Sequence, residues 1–302
     1  MRYETQPLWQ AGEYTYDTGT TFIPTLTHYL LDGLNPRPCV LVVPGGGYQI
    51  VSPTEAENVA LKYLEQGIHA CVLTYSTRAT PALPPLGMRP LRDIAKAVAM
   101  IRTSAEAWHV EPEQIAVLGF SAGGHLAGSL SVHWRHPALA DIAGPDGTAC
   151  RPNAAILSYP VISADQSVYH GGSFANLLGE DADAARLEEM SLEKQVGPHT
   201  PPTFIWHTQE DATVPVENSL LYVSALQKNR EPMEVHMYPA AENGTTTSEN
   251  ICAEKAPDYA NDVTGQQHRP MAETQPLAAS KARKGPATQD HYDNDRHFTP
   301  IQ

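Results

Sequence analysis

Six short runs of aliphatic and aromatic residues, at 40–43, 70–74, 115–118, 154–158, 203–207 and 234–238, recur along this chain with longer helical patterns between them. Runs this short and this uniformly apolar suit strands covered on both faces, so they predict buried parallel strands. The intervening segments at 54–66, 89–108, 122–133 and 216–229 read as helices; in the second, Leu91, Ile94, Ala95, Val98 and Ile101 fall three or four apart on one face. Strand and helix in alternation give an α/β fold: one mostly parallel sheet with helices on both faces. Residues 22–27 and 28–32 predict a pair of antiparallel strands at the sheet edge. The segment 165–202 interrupts the rhythm between the fourth and fifth parallel runs. It predicts a small helical insertion over the carboxyl end of the sheet, where open α/β sheets bind ligands, against the alternative of a surface loop remote from any ligand.

The third run, Ile115-Ala116-Val117-Leu118, leads into Gly119-Phe120-Ser121-Ala122-Gly123-Gly124 and then into the small-residue helix that starts at His125. That is a strand, a sharp turn and a helix with a serine at the apex. The apex residue must adopt a strained backbone conformation, and side chains two positions to either side would collide as strand turns into helix, which is why glycines stand at 119 and 123. In such a turn the Ser121 hydroxyl projects into a cleft with the amino terminus of the helix behind it, where developing negative charge is favoured. A structural glycine-rich turn is the competing reading of G-x-S-x-G alone; the strand before it and the helix after it favour a nucleophile elbow.

Two further stations lie past strand ends. After the first parallel run comes Pro44-Gly45-Gly46-Gly47-Tyr48, whose bare backbone can approach a ligand and point amide hydrogens at an oxyanion; the lysine and hydroxyl residue of a phosphate loop are missing. After the run 203–207 comes Gln209-Glu210-Asp211-Ala212-Thr213-Val214-Pro215. A carboxylate there can orient a histidine and stabilise its charged form, or cap the helix that begins near 216. The chain order, serine then acid, favours Asp211 as a triad acid, with Glu210 solvated.

Composition narrows the function classes. A net charge of −14 argues against nucleic acid or an anionic membrane surface as partner. No window approaches the eighteen apolar residues of a membrane span, and the opening MRYETQPLWQ lacks the apolar core of a secretory signal, so the expectation is a cytoplasmic protein. Cys39, Cys71, Cys150 and Cys252 then read as reduced thiols, the first two packing as small hydrophobes. Histidine and cysteine spacings suggest no metal site, and no cofactor is expected.

PGGGY, GFSAGGHLAG and WHTQEDATVPVENS together make residues 20–240 resemble the α/β-hydrolase esterases, in particular the bacterial acetyl-esterase and acetylxylan-esterase-like group related to the hormone-sensitive lipase family. The resemblance implies Ser121 as nucleophile, Asp211 as triad acid, and the amides near Gly46, Gly47 and Ala122 as the oxyanion hole. It implies a carboxylic ester hydrolase acting on small acyl esters through an acyl-enzyme. Pro44 stands where many lipases of the wider superfamily carry histidine, which leaves the glycine amides intact.

The same resemblance places the triad histidine in a Tyr-Pro-x-x-x-His-Gly pattern after the last strand, and here the stretch reads Tyr238-Pro239-Ala240-Ala241-Glu242-Asn243-Gly244. An amide neither takes nor returns a proton near neutral pH, so Asn243 cannot serve as general base. Of the other histidines, His125 packs or caps on the nucleophile's own helix, His207 and His236 lie inside predicted strands, and His170 and His199 flank the insertion. His268, His291 and His297 belong to a tail, 244–302, whose polar composition is that of a disordered or frameshifted segment, so the predicted hydrolase domain is 1–243. Two other readings stay open: a serine peptidase or amidase of the same fold, formamidase-like, and a catalytically silent binding protein that keeps the pocket without the base.

Overall fold

The computed structural model describes residues 1–16 and 22–239. Eight strands form one sheet in the order β1 (Arg2–Pro7), β2 (Thr25–Leu30), β4 (His69–Thr74), β3 (Arg37–Val43), β5 (Val110–Phe120), β6 (Ala154–Ser158), β7 (Thr203–Thr208) and β8 (Met233–Tyr238). β1 and β2 pair antiparallel, β2 and β4 pair antiparallel, and the remaining pairs are parallel. The six predicted runs are therefore the six parallel strands.

The helices are α1 (Glu57–Glu65), α2 (Arg89–Thr103), α3 (Ala105–Trp108), α4 (Ala122–His133), α5 (Gly171–Leu178), α6 (Ala184–Glu189) and α7 (Glu217–Asn229). Successive residues of the central strands are buried on opposite faces: Leu41 and Val43 join Leu91, Val98, Leu126 and Leu130 on one side, while Val40 and Val42 join Val59, Tyr63, Leu118 and Phe120 on the other. Both faces of β3 and β5 are thus inside, as their uninterrupted apolar runs require.

Three details differ from expectation. The edge is not a pair made by residues 22–32; a single strand, β2, crosses it and takes β1 from the amino terminus as its antiparallel partner. Thr27 and His28 are consecutive, and no glycine, proline, asparagine or aspartate adjoins them to reverse the chain there. The predicted helix 89–108 is broken at Ser104 into α2 and α3, the second ending on His109 in the left-handed region, φ 54°. β5 begins before its aliphatic run because Val110 already pairs with Arg37, after which the register shifts so that Cys39 faces Ile115. Cys39 and Cys71 are buried free thiols on neighbouring strands, with sulfurs 3.9 Å apart.

Segment 165–202 supplies α5 and α6, and α5 closes over the carboxyl end of the sheet. Asn176 donates its side-chain amide to the Gly47 carbonyl (2.9 Å), and Leu86 and Gly87 donate their backbone amides to the carbonyls of Asn176 and Leu177. The residues beyond 239, including Asn243 and the 244–302 tail, lie outside the described residues. Among the described residues no helix is long and apolar enough to cross a membrane.

Candidate active site

Ser121 joins β5 to α4 with φ 51° and ψ −117°, a backbone conformation rarely adopted by any residue with a Cβ. Its neighbours enforce it. A methyl group on Gly119 would lie 2.1 Å from the Gly123 carbonyl oxygen, and one on Gly123 would lie 2.2 Å from the Val43 oxygen and 2.4 Å from the Pro44 oxygen. Backbone meets backbone at both places, so no side chain can give way. The Ser121 amide donates to Ser158 O at the end of β6 (3.0 Å), and the Ser121 carbonyl accepts from His125 N (3.0 Å) and Val161 N (3.1 Å). Ala122, the next residue, opens α4, where a first-turn amide has no acceptor within its own helix.

The glycine loop after β3 runs beside this elbow. A methyl on Gly45 would fall 3.2 Å from Ser121 Cβ and 2.8 Å from Phe120 O. Gly46 and Gly47 have φ 122° and 64°, and Tyr48, with φ 58°, shares the left-handed region although it is not glycine. Every carbonyl from Pro44 to Tyr48 accepts a hydrogen bond. Pro44 O takes the Tyr75 hydroxyl (2.7 Å), Gly45 O takes Ser52 N (3.0 Å), and Gly46 O takes Gln49 N (2.9 Å) and Ile50 N (3.1 Å). Gly47 O takes Asn176 (2.9 Å) and Tyr48 O takes Arg78 N (2.8 Å). With its carbonyls held this way, the loop has fixed peptide planes, the condition for preorganised amide donors.

Beneath the loop the Tyr48 side chain is buried and donates its hydroxyl to His125 Nδ1 (2.8 Å), while His125 Nε2 donates to Met190 O (3.0 Å). Burial pushes the His125 imidazole down to about 4, so it stays neutral with both nitrogens engaged. Phe174 and Leu177 of α5 close the space around Tyr48, His125 and Val161. His125 is a packed support for the elbow, and its position one turn along α4 follows from the Ser121 carbonyl accepting its amide.

Asp211 sits past β7. One carboxylate oxygen, Oδ1, accepts the amides of Thr213 (2.8 Å) and Val214 (2.9 Å); the other lies 3.5 Å from His207 Nε2. Burial disfavours its charged form and acts to raise its pKa, but His207 and the two amides outweigh it, and the carboxyl is held below the usual aspartate range. His207 is wholly buried, with Nε2 donating to Val214 O (2.9 Å) and Nδ1 accepting from Ser219 Oγ (2.8 Å), so it belongs to the β7 layer and not to the rim. His236 is more open than its strand position predicts: its ring is 29% exposed and meets Glu234 Oε1 at 2.6 Å. His199 donates to Val132 O (2.9 Å) and is likewise structural.

His170 caps α5, with Nδ1 at 2.9 Å from Ser173 Oγ. Burial lowers its titration point, and the Asp211 charge acts on it in the opposite sense, which places the insertion and the acid loop in electrostatic reach of one another. The residue predicted for the base position, Asn243, lies outside the described residues. Sequence reasoning did not single out Glu55, Tyr75, Tyr159 or Asn176 as site supports. Only Glu55 offered a signal, a carboxylate ten residues past the first glycine of a triplet.

Comparisons with known proteins give the chain its family and fold relatives. A BD-FAE family profile matches residues 31–226. The chain is 41% identical over 246 residues to endo-1,4-beta-xylanase B of Butyrivibrio fibrisolvens, covering 80% of this chain and 38% of that protein. It is 34% identical over 218 residues to the acetylxylan esterase of Xylanibacter ruminicola, covering 70% and 42% respectively. The chain thus spans only about two fifths of the length of the curated relatives it matches. The crystal structure of an acetyl ester-xyloside bifunctional hydrolase from Caldicellulosiruptor lactoaceticus superposes with a TM-score of 0.72 at 35% identity, over 83% of this chain and 94% of that one. The chain has the α/β-hydrolase fold and belongs to the BD-FAE family.

Proposed function

We propose that the protein is a serine carboxylic-ester hydrolase acting on small acyl esters, acetyl-like in size. The observation that carries this reading is the backbone of Ser121, held at φ 51° between two glycines that tolerate no methyl group and set against a glycine loop whose carbonyls are all engaged. In this reading the Ser121 hydroxyl attacks the acyl carbonyl, and the amides of Gly46, Gly47 and Ala122 receive the negative charge on the carbonyl oxygen. The alcohol leaves, and water then hydrolyses the acyl-enzyme to regenerate Ser121. Asp211, kept ionised by His207 and two amides, is the group that would orient a base. Relatives named for acetylxylan esterase and acetyl ester hydrolase support the ester class.

Asn243 at the expected base position favours a second reading, a pocket that binds without turning over. One experiment separates the two. Hydrolysis of p-nitrophenyl acetate is compared in the unmodified chain, Asn243→His and Ser121→Ala. Weak turnover that rises by on the order of 10²-fold or more in Asn243→His and vanishes in Ser121→Ala is the expected result. Turnover that survives Ser121→Ala in either background removes the serine mechanism.

A further inference from the structure

The carboxylate of Glu55 belongs to none of the roles above, yet it stands against the nucleophile. It closes the short 3-10 turn Pro53–Glu55 that precedes α1. Its Oε2 accepts the Gly45 amide at 2.7 Å, and its Oε1 accepts the Tyr159 hydroxyl at 2.7 Å. The methyl position on Gly45 that would lie 3.2 Å from Ser121 Cβ also lies 2.9 Å from Glu55 Oε2, so carboxylate and serine flank the same glycine.

Sheet order gives this arrangement its meaning. β3, which carries Gly45 past its end, and β6, which carries Tyr159 past its end, are the two neighbours of β5, which carries Ser121. Glu55 therefore spans the carboxyl end of the nucleophile strand and ties together the loops on either side. Those loops hold strained residues. Among the described residues five non-glycine positions have positive φ, and three of them, Tyr48 (58°), Ser121 (51°) and Tyr159 (37°), surround this one corner. Such conformations persist only where the surroundings over-determine them. Tyr159 is further fixed by its amide on Trp206 O (2.8 Å) and its ring against Phe120 and Trp206.

We infer that Glu55 is a positioning residue, a carboxylate clamp that holds the glycine loop and the β6 end in register around Ser121. The inference rests on the reading of Ser121 as nucleophile. It acts on the reaction through peptide orientation and not through proton transfer, because both of its oxygens are already accepting bonds from the loops it joins. Glutamine retains an acceptor for the Gly45 amide and an amide that can face the Tyr159 oxygen, so it should replace the carboxylate in large part. Alanine leaves both donors without their partner.

The test uses the full chain with a fluorophosphonate probe, measuring the maximal inactivation rate and the probe concentration for half-maximal rate in wild type, Glu55→Ala, Glu55→Gln and Tyr159→Phe. Hydrogen exchange over residues 44–52 is followed in the same proteins. Glu55→Ala should lower the maximal labelling rate of Ser121 at least about tenfold with the half-maximal concentration unchanged within about twofold, and should speed exchange in the glycine loop. Glu55→Gln should recover most of both effects, and Tyr159→Phe should fall between. Labelling and loop exchange that stay at wild-type values in Glu55→Ala overturn the clamp. If Glu55→Ala does not fold, wild-type labelling and exchange in Tyr159→Phe, together with a Glu55→Gln rate as low as a variant with no acceptor would give, overturn it equally. Absence of Ser121 labelling in both the wild-type chain and Asn243→His overturns the nucleophile reading instead, and loop exchange alone then decides whether Glu55 holds the loop.

Discussion

The two ends of the candidate site are built to different tolerances. Around Ser121, Gly119, Gly123, Val43 and Pro44 pack backbone against backbone, and Phe120, Ala122 and Leu118 are fully buried. Beyond β7 the chain loosens. Every residue of β8 is at least partly exposed, the helix α7 turns Leu220 and Leu221 outward, and Asp211 is held by two amides of its own loop and one histidine. The Ser121 corner is fixed by steric exclusion and the Asp211 corner by local hydrogen bonding. Exclusion restricts residue identity far more severely than hydrogen bonding does, because only glycine satisfies it.

The contrast breaks first, and hardest, at Gly119. Gly119→Ala puts a methyl 2.1 Å from the Gly123 oxygen and 2.5 Å from its carbonyl carbon, atoms that cannot move without dismantling the elbow. Overpacking of a core ordinarily costs about 1–3 kcal/mol; here the cost should reach about 4 kcal/mol or more, read as a lowered urea midpoint or a failure to fold. Gly47→Ala is the control of the same residue type. Nothing lies within 4 Å of its added methyl, and only its φ of 64° resists, so it should cost about 1 kcal/mol. Equal effects at the two glycines would mean that the elbow is not sterically determined.

Acid sharpens the comparison next. His125 supports the elbow as a neutral ring between Tyr48 and Met190, with its titration point lowered by burial to about 4. A histidine whose folded value lies below its unfolded value of about 6.5 leaves the unfolded chain binding the extra proton as pH falls, so stability is complete above that value and is lost between about 6.5 and 4. His69, also lowered to about 4 by burial, acts in the same direction. Buried Asp93, raised by burial to about 6, acts against them: the folded carboxyl takes up its proton first, which adds stability as pH falls from about 6 toward 3.8. The His125 contribution alone should be up to about 3 kcal/mol, and urea midpoints between pH 8 and 4.5 should drop less in His125→Gln than in wild type. Parallel pH curves for the two proteins would separate the elbow from this titration.

The same difference explains what could be read before the fold was known. The parallel strands were legible because Val40 to Val43 and Ala154 to Ser158 must be apolar on both faces, and the elbow because Gly119 and Gly123 have no substitute. Asp211 was singled out by its place past a strand end and its order after Ser121, because a loop aspartate by itself reads equally well as a helix cap. Glu55 was read as one residue of a helical segment, because its contacts with Gly45 and Tyr159 join positions 10 and 104 residues away and leave no local pattern. The edge failed for a related reason: β1 is almost wholly exposed and polar, so its pairing with β2 is set by register bonds that composition does not record.

The smallest effect belongs on the loose side, at Glu234. Its carboxylate meets His236 Nε2 at 2.6 Å on β8, but the two side chains are 47% and 29% exposed, so solvent screens the pair and the geometry costs side-chain freedom. The ring of His236 keeps its contacts with Phe204 and Tyr238 without the carboxylate. Glu234→Ala should therefore change stability by no more than about 0.5 kcal/mol in a urea titration, and the difference should shrink further in 1 M salt, where exposed charges are screened over about 3 Å. A loss of 2 kcal/mol or more, insensitive to salt, would show that β8 is held as tightly as the strand that carries Ser121. The division between an excluded-volume corner and a hydrogen-bonded one would then have to be abandoned.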